Sequence, residues 1–293
     1  MKVKIGNRWV GDGEPCYVVA EIGANHNGDV GLAAHLFEAA KTAGADAVKT
    51  QKRVPALCVP PDMQGHMKDT PWGRMTYLAY RERLEFQTAE YLALDLVSRR
   101  IALPWFASCW DPPSLEFIMR YDPPAIKIAS ACVTDLELLR LHAQTSKPLI
   151  MSVGMSTTKE IDRAFAALAV SGSPDNIVLL WCRSTYPADP ETLNLAAMTT
   201  LRERYRVPVG FSDHHVGLWM SLCAVAMGAA MIERHFTLNR SMWGTDQAAS
   251  VEPAGLTKLI SQIRRFESAR GDGRLGPLPA EIEVAKRLRR VQG

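Results

Sequence analysis

Eight short apolar runs in this 293-residue chain end on, or lead into, side chains that can do chemistry. The run YVVAEI delivers Glu21, and DAVKTQ carries Lys49 and Gln51, two apart and so on one face of a strand. Ser108 follows Leu103–Ala107, Lys127 and Ser130 sit in AIKIAS, and Ser152 lies in PLIMSV. Arg183, Ser184 and Tyr186 follow IVLLWC; Ser212, Asp213, His214 and His215 end VPVGF; Glu233 and His235 lie in AMIERH. Two lysines with hydroxyls from four runs (Ser130, Ser152, Ser184 and Ser212) can surround a phosphate and a carboxylate together. A lone Ser at such a place commonly caps the next helix, so the weight rests on the set. His214 and His235, at the ends of consecutive runs, can share one divalent ion that keeps positions open for water and a substrate oxygen. Mn²⁺, Mg²⁺, Co²⁺, Zn²⁺ and Fe²⁺ are all chemically acceptable. Glu233, on the His235 face, reads as a third ligand or as a partner of one. A hydrogen-bonded core pair is the bland alternative, and His35, His66 and His142 receive that reading outright. His215 reads as a neighbour rather than a ligand.

The elements that must position these groups alternate. Strands are expected at Tyr17–Ile22, Asp46–Gln51, Leu103–Ala107, Ala125–Ala129, Pro148–Val153, Ile177–Cys182, Val207–Ser212 and Ala230–His235. Helices are expected at Val30–Ala43, Pro112–Arg120, Thr134–Gln144, Thr158–Val170, Glu191–Tyr205, Gly217–Gly228 and Ala254–Arg270. Strands this continuously apolar are buried on both faces, and eight βα repeats make a TIM (β/α)8 barrel of class α/β, a single domain over residues 1–270. An open doubly wound sheet is the competitor, but the Gly-rich first turn it would carry is absent. Active sites of such barrels lie at the C-terminal ends of the strands, where the polar residues fall. A lysine inside a closed barrel has no solvent-facing edge and must meet an anion.

Two segments break the rhythm. Lys52–Phe86 is a long excursion after strand two, Pro-rich at first; Thr70-Pro71 then reads as the N-cap and first position of a helix through WGRMTYLAYRERLEF. It is expected over the catalytic face, with packing on the barrel or on a partner subunit as the alternative. Residues 271–293 read as a basic, linker-like tail ending in a short helix.

Composition narrows the class. With 47% apolar and 22% charged residues, disorder, collagen and coiled coil are excluded. Thirty-four Lys and Arg against 31 Asp and Glu give a net +3, too little to argue for nucleic acid. No apolar run approaches the roughly 18 residues of a membrane helix, and the first residues lack a signal peptide's hydrophobic stretch. Six scattered cysteines without a CxxC pair suggest reduced thiols and a cytoplasmic location.

The segments AEIGANHNGD (20–29), AGADAVKTQK (43–52), IKIAS (126–130), MSVGM (151–155), CRSTYP (182–187), GFSDH (210–214) and ERHFT (233–237) resemble the sialic acid synthase family, in order and over nearly the whole chain. Those enzymes condense phosphoenolpyruvate with N-acetylmannosamine or related sugars to give nine-carbon 2-keto acids. The resemblance implies a metal on His214 and His235, and phosphoenolpyruvate held by Lys49, Ser108, Lys127, Ser130, Ser152, Ser184 and Ser212. Glu21, Gln51, Tyr186 and Asp246 would face the acceptor sugar, with Glu21 placed to position or deprotonate the attacking water. A homodimer is expected.

Three departures from the family pattern matter. Where the family often has a Glu after the strand-four Ser, this chain has Cys132; Ser184 stands where Asn is common. The family's small antifreeze-like domain, whose Arg completes the partner's sugar site, has no counterpart here, and the tail resembles only the linker to it. Either the 52–86 excursion completes the acceptor site, in its own subunit or across a dimer, or the acceptor differs. Arg53, Lys68, Arg74 and Arg81 are its candidate cations, and Trp72, Tyr77 and Tyr80 its candidate surfaces. The alternatives are a Schiff-base pyruvate aldolase using Lys127 or a non-catalytic sugar- or phosphoenolpyruvate-binding homologue; a metal amidohydrolase would want HxH after strand one.

Overall fold

The structure, a computed structural model, describes residues 1–171 and 174–291. Eight parallel strands close into a barrel in chain order: Tyr17–Glu21, Ala47–Lys52, Trp105–Cys109, Ile126–Ile128, Leu149–Ser152, Ile177–Trp181, Val209–Asp213 and Met231–His235, strands one to eight below. This is the TIM barrel that the alternation requires. Strand eight pairs with strand one, and the register sets Glu21 beside both His235 and Lys49. It also aligns Gln51 with Ser108, Ser108 with Lys127, and Ser212 with Glu233.

Local chemistry fixes the elements. Helix Val30–Ala43 starts because the Asp29 carboxylate accepts the Leu32 N–H at 3.0 Å, and it stops at Gly44, whose φ of +91° closes a left-handed cap. Its buried stripe (Ala33, Leu36, Phe37, Ala40) packs into the core between the strands and the outer helices.

Three parts differ from the sequence expectation. Thr70-Pro71 is not a helix start but the turn of a hairpin, Met67–Thr70 against Gly73–Thr76. Thr70 Oγ1 donates to the Gly73 carbonyl at 2.7 Å and accepts the Trp72 N–H at 3.2 Å, and Gly73 supplies a φ of +101°. The helix begins at Tyr77, capped by Thr76, and ends at Leu84. A further helix, Thr88–Ile101, has no counterpart in the expected elements; its buried face carries Asp95 and Ser98 among Tyr91 and Leu94, which breaks the apolar stripe. Those polar groups are satisfied by the Trp105 indole (3.2 Å) and the Leu103 carbonyl (2.6 Å). The expected helix at 191–205 is reduced to Ala197–Tyr205 after a 3₁₀ turn at Pro190–Thr192.

An N-terminal hairpin, Lys2–Ile5 with Arg8–Gly11, is a fourth difference, without a counterpart in the sequence expectation. Its Val3, Ile5 and Val10 are buried against Tyr17, Val19, Phe106, Ile150 and Leu180 inside the N-terminal end of the barrel. The tail carries the helix Pro279–Leu288, none of it buried; its last two residues lie outside the described residues. Among the described residues, no helix is long and apolar enough to cross a membrane.

Candidate active site

At the opposite end, the strand termini surround a cavity of about 230 Å³. Lys49, Gln51, Ser108, Lys127, Ser130, Ser152, Ser184, Tyr186, Ser212, His214 and His235 all line it, as does Glu233. Glu21 lies beneath, fully buried, and Asp246 reaches in from the loop after strand eight with Oδ2 at 3.9 Å from His235 Nδ1. The residues expected to hold metal and substrate therefore meet in one place, whereas Arg183 turns away to the Thr192 carbonyl and Asp213 pairs with the buried Arg234.

The cavity floor holds two lysines in unlike surroundings. Lys49 Nζ lies 2.6 Å from Glu21 Oε2 and 3.4 Å from Glu233 Oε1, and it donates to Ser108 Oγ at 3.1 Å. Burial disfavours its charge, but Glu21 and Glu233 outweigh that and raise its pKa. Lys127 Nζ donates to Ser152 Oγ (2.7 Å) and the Ile128 carbonyl (3.0 Å), with no carboxylate within 4 Å among the described residues. Burial accordingly pulls Lys127 below the usual lysine range. A 2% exposed lysine with only neutral partners, facing a polar cavity, is half of an ion pair.

The two carboxylates are driven apart as well. Burial raises Glu21 despite the pull of Lys49. Burial would raise Glu233 too, but Lys49 and then Lys127 hold it down at about 2. A pair so separated divides the work: Glu21 can exchange a proton, while Glu233 stays anionic.

The histidine rings sit 5.6 Å apart, centroid to centroid, and Tyr186 lies against His214 at 4.1 Å. His214 Nδ1 donates to the Arg183 carbonyl, which leaves the Nε2 lone pair toward the cavity. Burial, and next His235, push its pKa down to about 3, so the ring is neutral. His235 Nδ1 is buried without a hydrogen-bond partner. Two imidazoles facing one cavity, one with an orphaned nitrogen, fit a divalent ion completed by water or substrate oxygens. Among the described residues no third His, Cys, Asp or Glu joins them in a ligand group, which leaves Glu233 as an ionic neighbour.

Two glycines make room. A Cβ on Gly23 would stand 2.8 Å from Glu21 Oε1, 3.2 Å from Gln51 Nε2 and 3.6 Å from Asp246 Oδ2, so these three groups converge on bare backbone. A Cβ on Gly154 would meet Ser184 Oγ at 2.6 Å and Cys182 Sγ at 2.7 Å. Sequence reasoning passed over both, and over Trp110 and Met155, which also line the cavity. A glycine directly after a strand-end residue was the available signal. Cys132, in the place the resemblance gives to a sugar contact, is 5% exposed, and Ala131 lines the cavity instead. His142 is a buried helix residue, while His35 and His66 are exposed, in keeping with a bland role for each.

The excursion is clasped to the loop after strand eight. Trp243 packs edge-on against Trp72 (5.6 Å) and Tyr80 (5.5 Å), with Lys68 Nζ 5.2 Å from the Tyr80 ring centroid. His26 stacks on Phe86 at 4.0 Å.

Comparison with known proteins gives a consistent picture. Residues 36–275 match the NeuB family. The chain is 33% identical over 285 residues to N,N'-diacetyllegionaminic acid synthase of Legionella pneumophila, covering 96% of this chain and 80% of that one. It is 32% identical over 289 residues to N-acetylneuraminate-9-phosphate synthase of Mus musculus, covering 96% and 78%. The crystal structure of N-acetylneuraminic acid synthetase from Leptospira borgpetersenii in complex with citrate superposes with a TM-score of 0.87 at 31% identity, over 99% of this chain and 98% of that chain.

Proposed function

The chain belongs to the NeuB family, and from that premise we propose that it condenses phosphoenolpyruvate with an aldose of the N-acetylmannosamine type. The products would be a 3-deoxy-2-keto acid of the sialic or legionaminic kind and inorganic phosphate. The names of its relatives support an enzyme of this class. The observation that carries the reading is Lys127: buried, hydrogen-bonded only to Ser152 and a backbone carbonyl, with no carboxylate within 4 Å among the described residues, on a cavity lined by serine hydroxyls.

Phosphoenolpyruvate supplies the missing anion. Lys127 and Lys49, with Ser108, Ser130, Ser152, Ser184 and Ser212, would bind its carboxylate and phosphate. The acceptor's open-chain aldehyde then lies above, toward Gln51, Tyr186 and Asp246. C3 of phosphoenolpyruvate bonds to the aldehyde carbon, whose π pair moves onto oxygen as an alkoxide that later takes the proton Glu21 gains from water; positive charge develops at C2, and the C2 hydroxyl formed from that water gives its remaining proton to the departing phosphate as the ketone forms. Glu233, held anionic, stabilises that charge. Glu21 takes a proton from the water that adds to C2, and phosphate departs by cleavage of its C–O bond. His214 and His235 would hold a divalent ion, Mn²⁺ first, which when bound polarises the aldehyde oxygen.

The experiment is phosphate release from phosphoenolpyruvate with Mn²⁺ across aldoses, 2-acetamido sugars and their phosphates. Release with a 2-acetamido aldose, abolished by chelator and restored by metal, is expected. No release with any acceptor would overturn the reading, and full turnover after exhaustive chelation would remove the metal from it.

One observation favours a second chemistry. The lowered pKa of Lys127 suits an amine nucleophile, so a Schiff-base pyruvate aldolase is the competitor. It gives the paired histidines no role, and borohydride trapping of pyruvate on Lys127 would establish it.

A further inference from the structure

Arg53 follows strand two and looks, in sequence, like a free cation at the mouth. The structure instead buries it among Trp110, Gln51 and Glu85, with Nε left without a hydrogen-bond partner. Its guanidinium lies 3.9 Å from the ring centroid of Trp110, Nη2 donates to Gln51 Oε1, and Nε faces Glu85 Oε1 at 3.5 Å. The side chain is 11% exposed. Glu85 is shared with Lys52, also at 3.5 Å, so Arg53 has only part of a counter-charge. Burial, and next its neighbour Arg81, pull the guanidinium down to about 10. An arginine kept in such a place does more than solubilise a surface.

The group it holds is the key. Gln51 Nε2 donates to Glu21 Oε1 at 2.9 Å, and the other oxygen of Glu21 meets Lys49. A primary amide has two ends of nearly the same shape, one donating and one accepting. Guanidinium only donates and ionised carboxylate only accepts. Flipping the amide would set N–H against N–H at Arg53 and oxygen against oxygen at Glu21.

We propose that Arg53 is a positioning residue: it locks the Gln51 amide so that its NH₂ end is committed to Glu21, and thereby fixes the carboxylate that faces the acceptor corner. The proposal rests on reading Glu21 and Gln51 as acceptor-side groups of a phosphoenolpyruvate-dependent synthase. Lysine cannot replace arginine, because only a planar fork can lie on Trp110 and reach the amide at once.

The test compares Arg53→Met and Arg53→Lys with the unaltered protein in two ways. The first needs no substrate: NMR of ¹⁵N-labelled protein, with the Gln51 side-chain amide assigned through Gln51→Leu. In the unaltered protein the two amide protons should be well separated in shift and slow to exchange. In Arg53→Met they should move to the values of an exposed glutamine, with exchange about tenfold faster. The second is kinetic. Acceptor KM should rise about tenfold in both variants while phosphoenolpyruvate KM stays within about twofold.

An unchanged Gln51 amide in Arg53→Met would overturn the lock. So would equal loss for both substrates, which means general collapse, or full recovery by Arg53→Lys, which means charge alone. If the unaltered protein turned over no acceptor, the functional reading would fail, and the amide spectrum would still judge the lock.

Discussion

The two ends of one barrel interior are built to opposite rules from the same strands. Inward-facing Val19, Ala47, Phe106, Ala125, Ile150 and Met231 are all fully buried and apolar. Two residues further along, the same faces carry Glu21, Lys49, Ser108, Lys127, Ser152 and Glu233. The change from hydrocarbon to charge takes one step of the pleat, about 7 Å. The lower layer needs nothing but volume, whereas the upper layer needs partners, and Lys127 shows what happens where one is missing. Stability and chemistry are thus stacked in separate layers, and substitutions should be able to separate them.

The largest effect is expected below. Phe106→Ala should cost about 3–5 kcal/mol of stability by opening a cavity in the plug, while kcat/KM well below the melting temperature stays near its original value. A large loss of activity in the folded variant would show that the layers are coupled.

Acid sharpens the contrast at two further places, a helix outside the barrel and the turn after strand one. His142 and His26 are buried with pKa values lowered to about 4, mainly by burial. The unfolded chain binds these protons near pH 6.5, so stability is full above that pH and falls as pH drops toward about 4. Each histidine contributes at most about 3 kcal/mol to that loss. Melting temperature followed from pH 7 to 4 should show it, and His142→Leu should flatten the slope.

Above, Lys127→Met should weaken phosphoenolpyruvate by about a hundredfold, near 2.7 kcal/mol, far more than it weakens the acceptor. It should leave the melting temperature level or higher, because it removes a buried, unpaired charge. Equal losses for the two substrates would move Lys127 out of the anion cradle.

The smallest effect belongs to the rim. Backbone N–H of Tyr77 donates to the His66 carbonyl at 2.7 Å, so the hairpin between them can be excised, residues 67–75, with the Thr76 cap kept. Acceptor KM should rise about tenfold, or 1.4 kcal/mol, with phosphoenolpyruvate unaffected. Unaltered acceptor kinetics would make the hairpin packing alone.

These layers were unequally legible in the sequence. Lys49, Lys127, Glu233 and His235 stand out because a charged residue in an apolar run of a closed barrel has nowhere to point but inward or into a helix interface. Helix Thr88–Ile101 was hidden by Asp95 and Ser98, polar residues satisfied by partners that no local pattern reveals. Thr70-Pro71 misled because Thr before Pro serves a helix start and a hairpin turn equally well. The N-terminal hairpin is too short to show a period. Arg53 was visible as a cation, but its stacking on Trp110 and its hold on one end of an amide are three-dimensional facts.

The hairpin that plugs the barrel with Val3, Ile5 and Val10 also governs traffic. It makes the interior a blind alley, entered and left by one door. In the proposed reaction the small anion on the floor would have to enter before the larger sugar above it, and phosphate released below would have to wait for the product to clear. Ordered addition with phosphoenolpyruvate leading is the expected steady-state pattern. Phosphate should then compete with phosphoenolpyruvate and not with the acceptor.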